Sequence, residues 1–297
     1  MSDYLIHGLS DKANVIGLAC VTTDLVGRAA QLHGTSRTAS AALGRALTGA
    51  LLMAALMKRG QRVALKFEGN GPLQRVLVEA DAGGTVRGYV GIPDADVPIK
   101  DGKLDVSGIL GSDGYLTVIK DLGLKEPYKG IVGLHTGEIA EDIAYYFAES
   151  EQIPSAVGLG VFVEGDGEIS AAGGFLIQAL PSSEEGTVDQ LIRNVQGIPF
   201  ITQFLRDGKL PEDILARIFS GIPYHVLGKR DLFLQCSCSR GRVERALIAL
   251  GNEELKRLIA EQDETDVTCE FCRTSYRFTR KELEDLRREM TPAAASA

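Results

Sequence analysis

Four cysteines near the C-terminal end constrain this chain more than any other feature. Cys236 and Cys238 form a C-x-C pair, and Cys269 and Cys272 form a C-x-x-C pair. Each short pair can aim two sulfurs at one point, so together they supply the four thiolates of a tetrahedral Zn²⁺ site. The stretch between them, Ser239 to Thr268, is long enough for two helices that bring the pairs together. From the residues alone two readings stand. One is a structural zinc site that staples a small domain with little core of its own. The other is a redox switch, because a metal-held thiolate is the species oxidants attack and either pair could close into a disulfide.

The 297 residues suffice for two or three domains with a sizeable core. A net charge of −8 argues against general affinity for nucleic acid or anionic membrane. Residues 229–290 carry thirteen Lys/Arg against thirteen Asp/Glu, without the basic excess of a nucleic-acid-reading zinc ribbon. The start, Met-Ser-Asp-Tyr-Leu-Ile-His-Gly, lacks a basic, apolar signal pattern, and four cysteines in metal spacing point to the reducing cytoplasm. The uncharged run from Ala46 to Met57 is too short to cross a bilayer and reads as a buried core helix. Neither a nucleic-acid nor a membrane partner is therefore expected.

Along the chain, the apolar run at 15–21 reads as a buried strand, with Thr22, Thr23 and Asp24 capping a helix to about 32. A small-residue helix follows over 38–58 behind Thr35-Ser36. Short strands at 62–68, 73–80 and 85–90 are punctuated by glycine turns, then come strands at 116–122 and 130–134. A helix at 138–149 and a hairpin of 157–163 with 169–180 complete the segment. The expected fold class is α+β: residues 1–180 form an N-terminal, largely antiparallel sheet domain with packed helices. Cys20, inside an apolar run, reads as an inert core residue.

Composition changes at Pro181-Ser182-Ser183-Glu184-Glu185-Gly186. Residues 181–230 read as an amphipathic helical linker, with stripes at Val188, Leu191, Ile192 and Val195 and at Ile214, Leu215, Ile218 and Phe219. Such short helices are unstable alone and must lay their stripes on something. Residues 231–290 read as the small zinc-binding domain, and 291–297 as a disordered tail. No G-x-S-x-G, Walker loop or metalloprotease histidine spacing occurs, so no catalytic residues and no enzyme activity are expected. His225, eleven residues before Cys236, is a weak competitor for a ligand position.

With these residues in hand, the chain resembles the bacterial redox-regulated heat-shock holdases, ATP-independent chaperones with a zinc-thiolate switch. The two cysteine pairs carry the resemblance first, with Glu270-Phe271 inside the second pair and Tyr276-x-Phe278 after it. Gly69-Asn70-Gly71-Pro72-Leu73, Val86-Arg87-Gly88-Tyr89-Val90 and Ala172-Gly173-Gly174-Phe175 add to it. The most specific N-terminal match is Tyr145-Tyr146-Phe147 with Ser150-Glu151-Gln152-Ile153-Pro154-Ser155. In Leu116-Thr117-Val118-Ile119-Lys120, Ile119 stands where the family commonly has a second threonine.

The resemblance implies a cycle. The reduced, zinc-bound form is inactive. Oxidation forms Cys236–Cys238 and Cys269–Cys272 disulfides, releases zinc, unfolds the small domain and loosens the linker. Apolar surface then binds unfolding client proteins, and the oxidised form is a homodimer. The runner-up is a constitutive structural zinc-ribbon interaction module. A thiol oxidoreductase stands third, since its C-x-x-C normally opens a helix and Cys269 follows a strand.

Overall fold

Strands β1 (Tyr4–Ser10) and β2 (Val15–Val21) pair antiparallel from Tyr4↔Val21 to Ser10↔Val15. Strand β2 is buried on both faces, which is why it reads as a continuous apolar run rather than an alternating one. The computed structural model describes all residues except 1, 11–13, 182–184, 199 and 291–297, so the expected tail lies outside the described residues. Two compact units emerge, Met1–Gln235 and Cys236–Ala297.

In the first unit, helix α1 (Thr23–His33) is not capped by the threonines beside it. Asp3 caps it from across the fold, accepting the N–H groups of Asp24 and Leu25 at 3.2 and 2.6 Å. The Thr22 hydroxyl instead bonds that of Thr48, 2.8 Å away. Helix α2 (Arg37–Ala55) starts at Ser36, whose Oγ accepts from the Ala39 N–H at 3.1 Å. Its small residues permit close packing: a Cβ at Gly44 would lie 2.5 Å from Val26 Cγ1.

Strands β3 (Arg62–Gly69), β4 (Arg75–Asp81) and β5 (Thr85–Val90) form the expected meander. A short helix α3 (Val106–Leu110) precedes β6 (Gly114–Asp121) and β7 (Tyr128–Gly133). Helix α4 (Ile139–Tyr146) runs on into a π-helical turn, Phe147–Glu151, and β8 (Ser155–Val163) pairs with β9 (Ile169–Ala179).

The segment expected as a linker holds helices α5 (Glu185–Gln196), α6 (Ile201–Arg206) and α7 (Pro211–Ile218), all within the first unit. Its last residues differ from the helical reading, because β10 (His225–Asp231) pairs antiparallel with β1. Strand β11 (Phe233–Leu234) then pairs parallel with β5. The sheet orders are β10-β1-β2-β9-β8 and β11-β5-β4-β3-β6-β7. Helix α2 packs on strands of both sheets, and its side chains share one core with Leu5, Leu18, Cys20 and Leu176 from the first and Val63, Leu65 and Val78 from the second.

The opposite face of the five-stranded sheet carries Tyr4, Ile6, Val15, Ala19, Val21, Phe175 and Ile177. Helices α5 to α7 cover it, with Leu191, Ile201, Ile214, Leu215, Ile218 and Phe219 in the same apolar cluster. Gly17 makes room for that cover: a Cβ there would sit 2.5 Å from the Phe219 ring. Polar ties accompany it. Tyr4 OH donates to Glu212 at 2.7 Å, and Asn194 Nδ2 donates to the carbonyls of Ile218 and Ser220 at 2.8 and 2.9 Å.

In the second unit, α8 (Arg240–Ala249), α9 (Asn252–Glu261) and α10 (Arg280–Met290) surround an antiparallel hairpin, β12 (Glu264–Thr268) with β13 (Ser275–Thr279). Among the described residues its core is six buried apolar side chains: Val243, Leu247, Leu255, Phe278, Leu283 and Leu286. A two-stranded hairpin and so few buried groups are marginal alone, which is where a cross-link contributes most.

Candidate metal centre

The two cysteine pairs reach one place from different local structures. Cys236 and Cys238 lie in the extended segment before α8, whose N-cap Ser239 accepts from the Arg242 N–H at 3.4 Å. Cys269 and Cys272 lie in the turn between β12 and β13. Cys269 N–H donates to Thr274 O at 2.9 Å, Arg273 N–H donates to Cys269 O at 2.8 Å, and Arg273 takes φ +56° to close the turn.

All four sulfurs lie within 4.8 Å of one another and can hold a metal ion. Two sulfur contacts cross between the pairs, Cys236 to Cys269 at 3.9 Å and Cys238 to Cys272 at 3.2 Å. A tetrahedral zinc-thiolate centre spaces its sulfurs by about 3.8 Å, so the cluster fits such an ion with small adjustments. His225 begins β10 in the first unit and is not in the ligand group, which is the four cysteines alone among the described residues.

The electrostatics agree. Burial pushes the Cys272 thiol up, but hydrogen bonds with the Thr274 side chain and backbone and the sulfurs of Cys238 and Cys269 bring it down to about 6. Tyr276's hydrogen bond pulls Cys238 down, yet burial and the neighbouring sulfurs hold it at about 12. Burial also raises Cys269. Sulfurs this close share their negative charge unevenly and cannot all ionise without a cation among them. Cys20 is different in kind: fully buried in the first unit, its thiol is driven far upward by desolvation.

The linker stripes are placed less uniformly than the spacing suggests. Leu191, Ile214, Leu215, Ile218 and Phe219 are buried and Val195 packs at the cluster's edge, while Ile192 is 50% exposed. Val188, Leu191, Ile192 and Val195 also line an apolar cleft of about 260 Å³ with Pro154, Ala156 and Ile177. Sequence reasoning missed the hydroxyls beside the sulfurs, Thr274 Oγ1 at 3.3 Å from Cys272 and Tyr276 OH at 3.1 Å from Cys238. Their alternation, Thr274-x-Tyr276-x-Phe278, marks one strand face, but only the hairpin register aims it at the cysteines.

A sequence model of the family described as Hsp33 protein matches residues 3–279. The chain belongs to the Hsp33 family. A 33 kDa chaperonin of Geobacter sulfurreducens is 57% identical over 291 residues, covering 98% of this chain and 97% of that one. Another Hsp33-family relative, the 33 kDa chaperonin of Caldanaerobacter subterraneus, is 45% identical, covering 97% and 99%. The crystal structure of the Hsp33 homologue from Thermotoga maritima matches with a TM-score of 0.89 at 37% identity, over 97% of this chain and 99% of that one. These relatives bear chaperone names, not enzyme names, and the α+β architecture with its C-terminal cysteine cluster is the Hsp33 fold.

Proposed function

We propose that the chain is a cytoplasmic, redox-regulated, ATP-independent holdase whose four cysteines bind Zn²⁺ in the reduced state. The observation that carries this reading is the meeting of four sulfurs within 4.8 Å in a unit whose described residues include six buried apolar side chains. When bound, zinc holds Cys236, Cys238, Cys269 and Cys272 as thiolates and cross-links two segments of that unit. Oxidation removes the thiolates, and a unit whose folding free energy is metal-binding free energy then unfolds.

Disulfides join Cys236 to Cys238 and Cys269 to Cys272. In the folded unit sulfur contacts cross between the pairs, so contact there does not by itself select this connectivity. Loop closure in the unfolded unit does: bridging residues 33 or 34 apart costs more chain entropy than bridging near neighbours.

The relay to client binding runs along the chain. Gln235, last residue of the first unit, donates its N–H to Val86 O at 3.0 Å, and α7 leads through β10 and β11 to it. Helices α5 to α7 are too short to persist undocked. Their release uncovers the apolar face around Tyr4, Ile6, Val21 and Phe175 together with their own stripes, and unfolding client proteins bind there.

Peroxide oxidation at elevated temperature, followed by mass mapping and zinc measurement, tests the chemistry. The expected result is two neighbour disulfides, loss of the metal and a free Cys20. Bridges between the pairs or a bridged Cys20 would contradict this connectivity, and zinc retained after oxidation would support the constitutive zinc module instead.

A further inference from the structure

Tyr276 stands on β13 opposite Val267 of β12, with its ring against the second unit's core. Its hydroxyl reaches Cys238 Sγ at 3.1 Å. Two residues on, Phe278 is fully buried, so the strand's inward face is fixed by packing rather than by the contact itself. Arg240 holds the other side. Two residues after Cys238, its guanidinium lies 4.3 Å from the Phe278 ring centre and donates to Arg277 O at 2.9 Å and to Glu282 at 2.7 Å. The segment carrying Cys238 and the strand carrying Tyr276 are therefore clamped together by groups outside the sulfur cluster.

We propose that Tyr276 is a positioning residue of the thiolate centre, donating its O–H to Cys238 Sγ and slowing attack of peroxide on that sulfur. A thiolate has only acceptor capacity, so the phenol is the donor once Cys238 is ionised. Attack needs the same sulfur electron pairs. A pair drawn toward the phenolic proton is a poorer nucleophile, and groups that orient metal ligands also tune the centre's electronics.

The step balances without further reagents. Cys238 sulfur forms an S–O bond as the peroxide O–O bond breaks and hydroxide leaves. The Cys236 thiolate then displaces hydroxide from that sulfur to form the S–S bond. Two electrons pass from two thiolates to one peroxide, which with two protons ends as two waters.

This inference rests on the proposed metal-thiolate reading, and its test separates the two. Full-length Tyr276→Phe keeps the ring and loses only the hydroxyl. Loaded with cobalt(II) in place of zinc, it is expected to keep the tetrahedral d–d bands while the thiolate-to-cobalt charge-transfer band moves to lower energy. Its peroxide-driven metal release is expected to quicken roughly three- to tenfold. Placing 3-fluorotyrosine at 276, a stronger donor of the same shape, is expected to shift band and rate the opposite way. A purely packing role would move neither quantity with this reversal of sign. Bands and rates identical in all three proteins would overturn the assignment while leaving the metal reading intact. Failure of the parent protein to bind cobalt would overturn both.

Discussion

A Leu191→Ser/Ile214→Ser variant, reduced and metal-loaded, is expected to suppress aggregation of an unfolding client without any oxidant. Leu191 is 5% exposed and Ile214 fully buried, both in the cluster beneath the linker helices. Burial of each side chain is worth about 1.5–3 kcal/mol, so losing both removes about 3–6 kcal/mol of docking if the sites act independently. Helices of six to twelve residues have no reserve of their own against such a loss. Gly17→Val approaches the same contact from the sheet side and leaves the linker sequence intact. Its side chain would collide with the Phe219 ring, 2.5 Å from the Cβ position, and lift α7 away. Both variants are expected to show fast amide exchange in α5 and α7 and client protection in the reduced state. If those amides exchange freely and the reduced proteins stay as silent as the parent, linker exposure is not what activates the chain.

Metal removal is expected to have a larger effect on structure. Reduced protein should hold one Zn²⁺ per chain, and replacing Cys238 and Cys272 by serine should abolish it. Structural zinc sites contribute on the order of 10–16 kcal/mol, more than a unit with a six-residue core can replace. Amides of α8, α9, α10 and the β12–β13 hairpin are therefore expected to lose protection, while those of α2, β2 and β9 keep it. The first unit has its own extensive core around α2. Protected α8–α10 amides in the metal-free chain would show that the second unit folds on apolar packing alone.

The cysteine centre was legible in the sequence because two short-range spacings encode it, and neither depends on tertiary context. The β3–β4–β5 meander was legible for a similar reason, since glycine turns bracket alternating runs. Strand β10 was not: His225-Val226-Leu227-Gly228-Lys229-Arg230-Asp231 lies at a sheet edge, nearly all exposed, so burial imposes no alternation on it. Asp3 was missed as a cap because the helix it caps begins twenty residues later in the chain, beyond any local motif. The linker stripes pack less evenly than their spacing along the chain suggests. Ile192 keeps helical spacing with Val188 and Val195, yet it lies half in solvent because α5 buries only the Leu191 side of its stripe in the sheet cluster. The Tyr276 contact needed the hairpin register, which no spacing along the chain reveals.

Light scattering from a thermally unfolding client, without ATP, tests the central claim most directly. The chain is added reduced and zinc-loaded, or after peroxide treatment at elevated temperature, or after re-reduction with zinc restored. Suppression by the oxidised form, absent from the reduced form and lost again on restoration, is the expected result. Equal suppression by the reduced, zinc-loaded and oxidised forms would contradict a redox switch and leave a constitutive zinc-bound interaction module in its place.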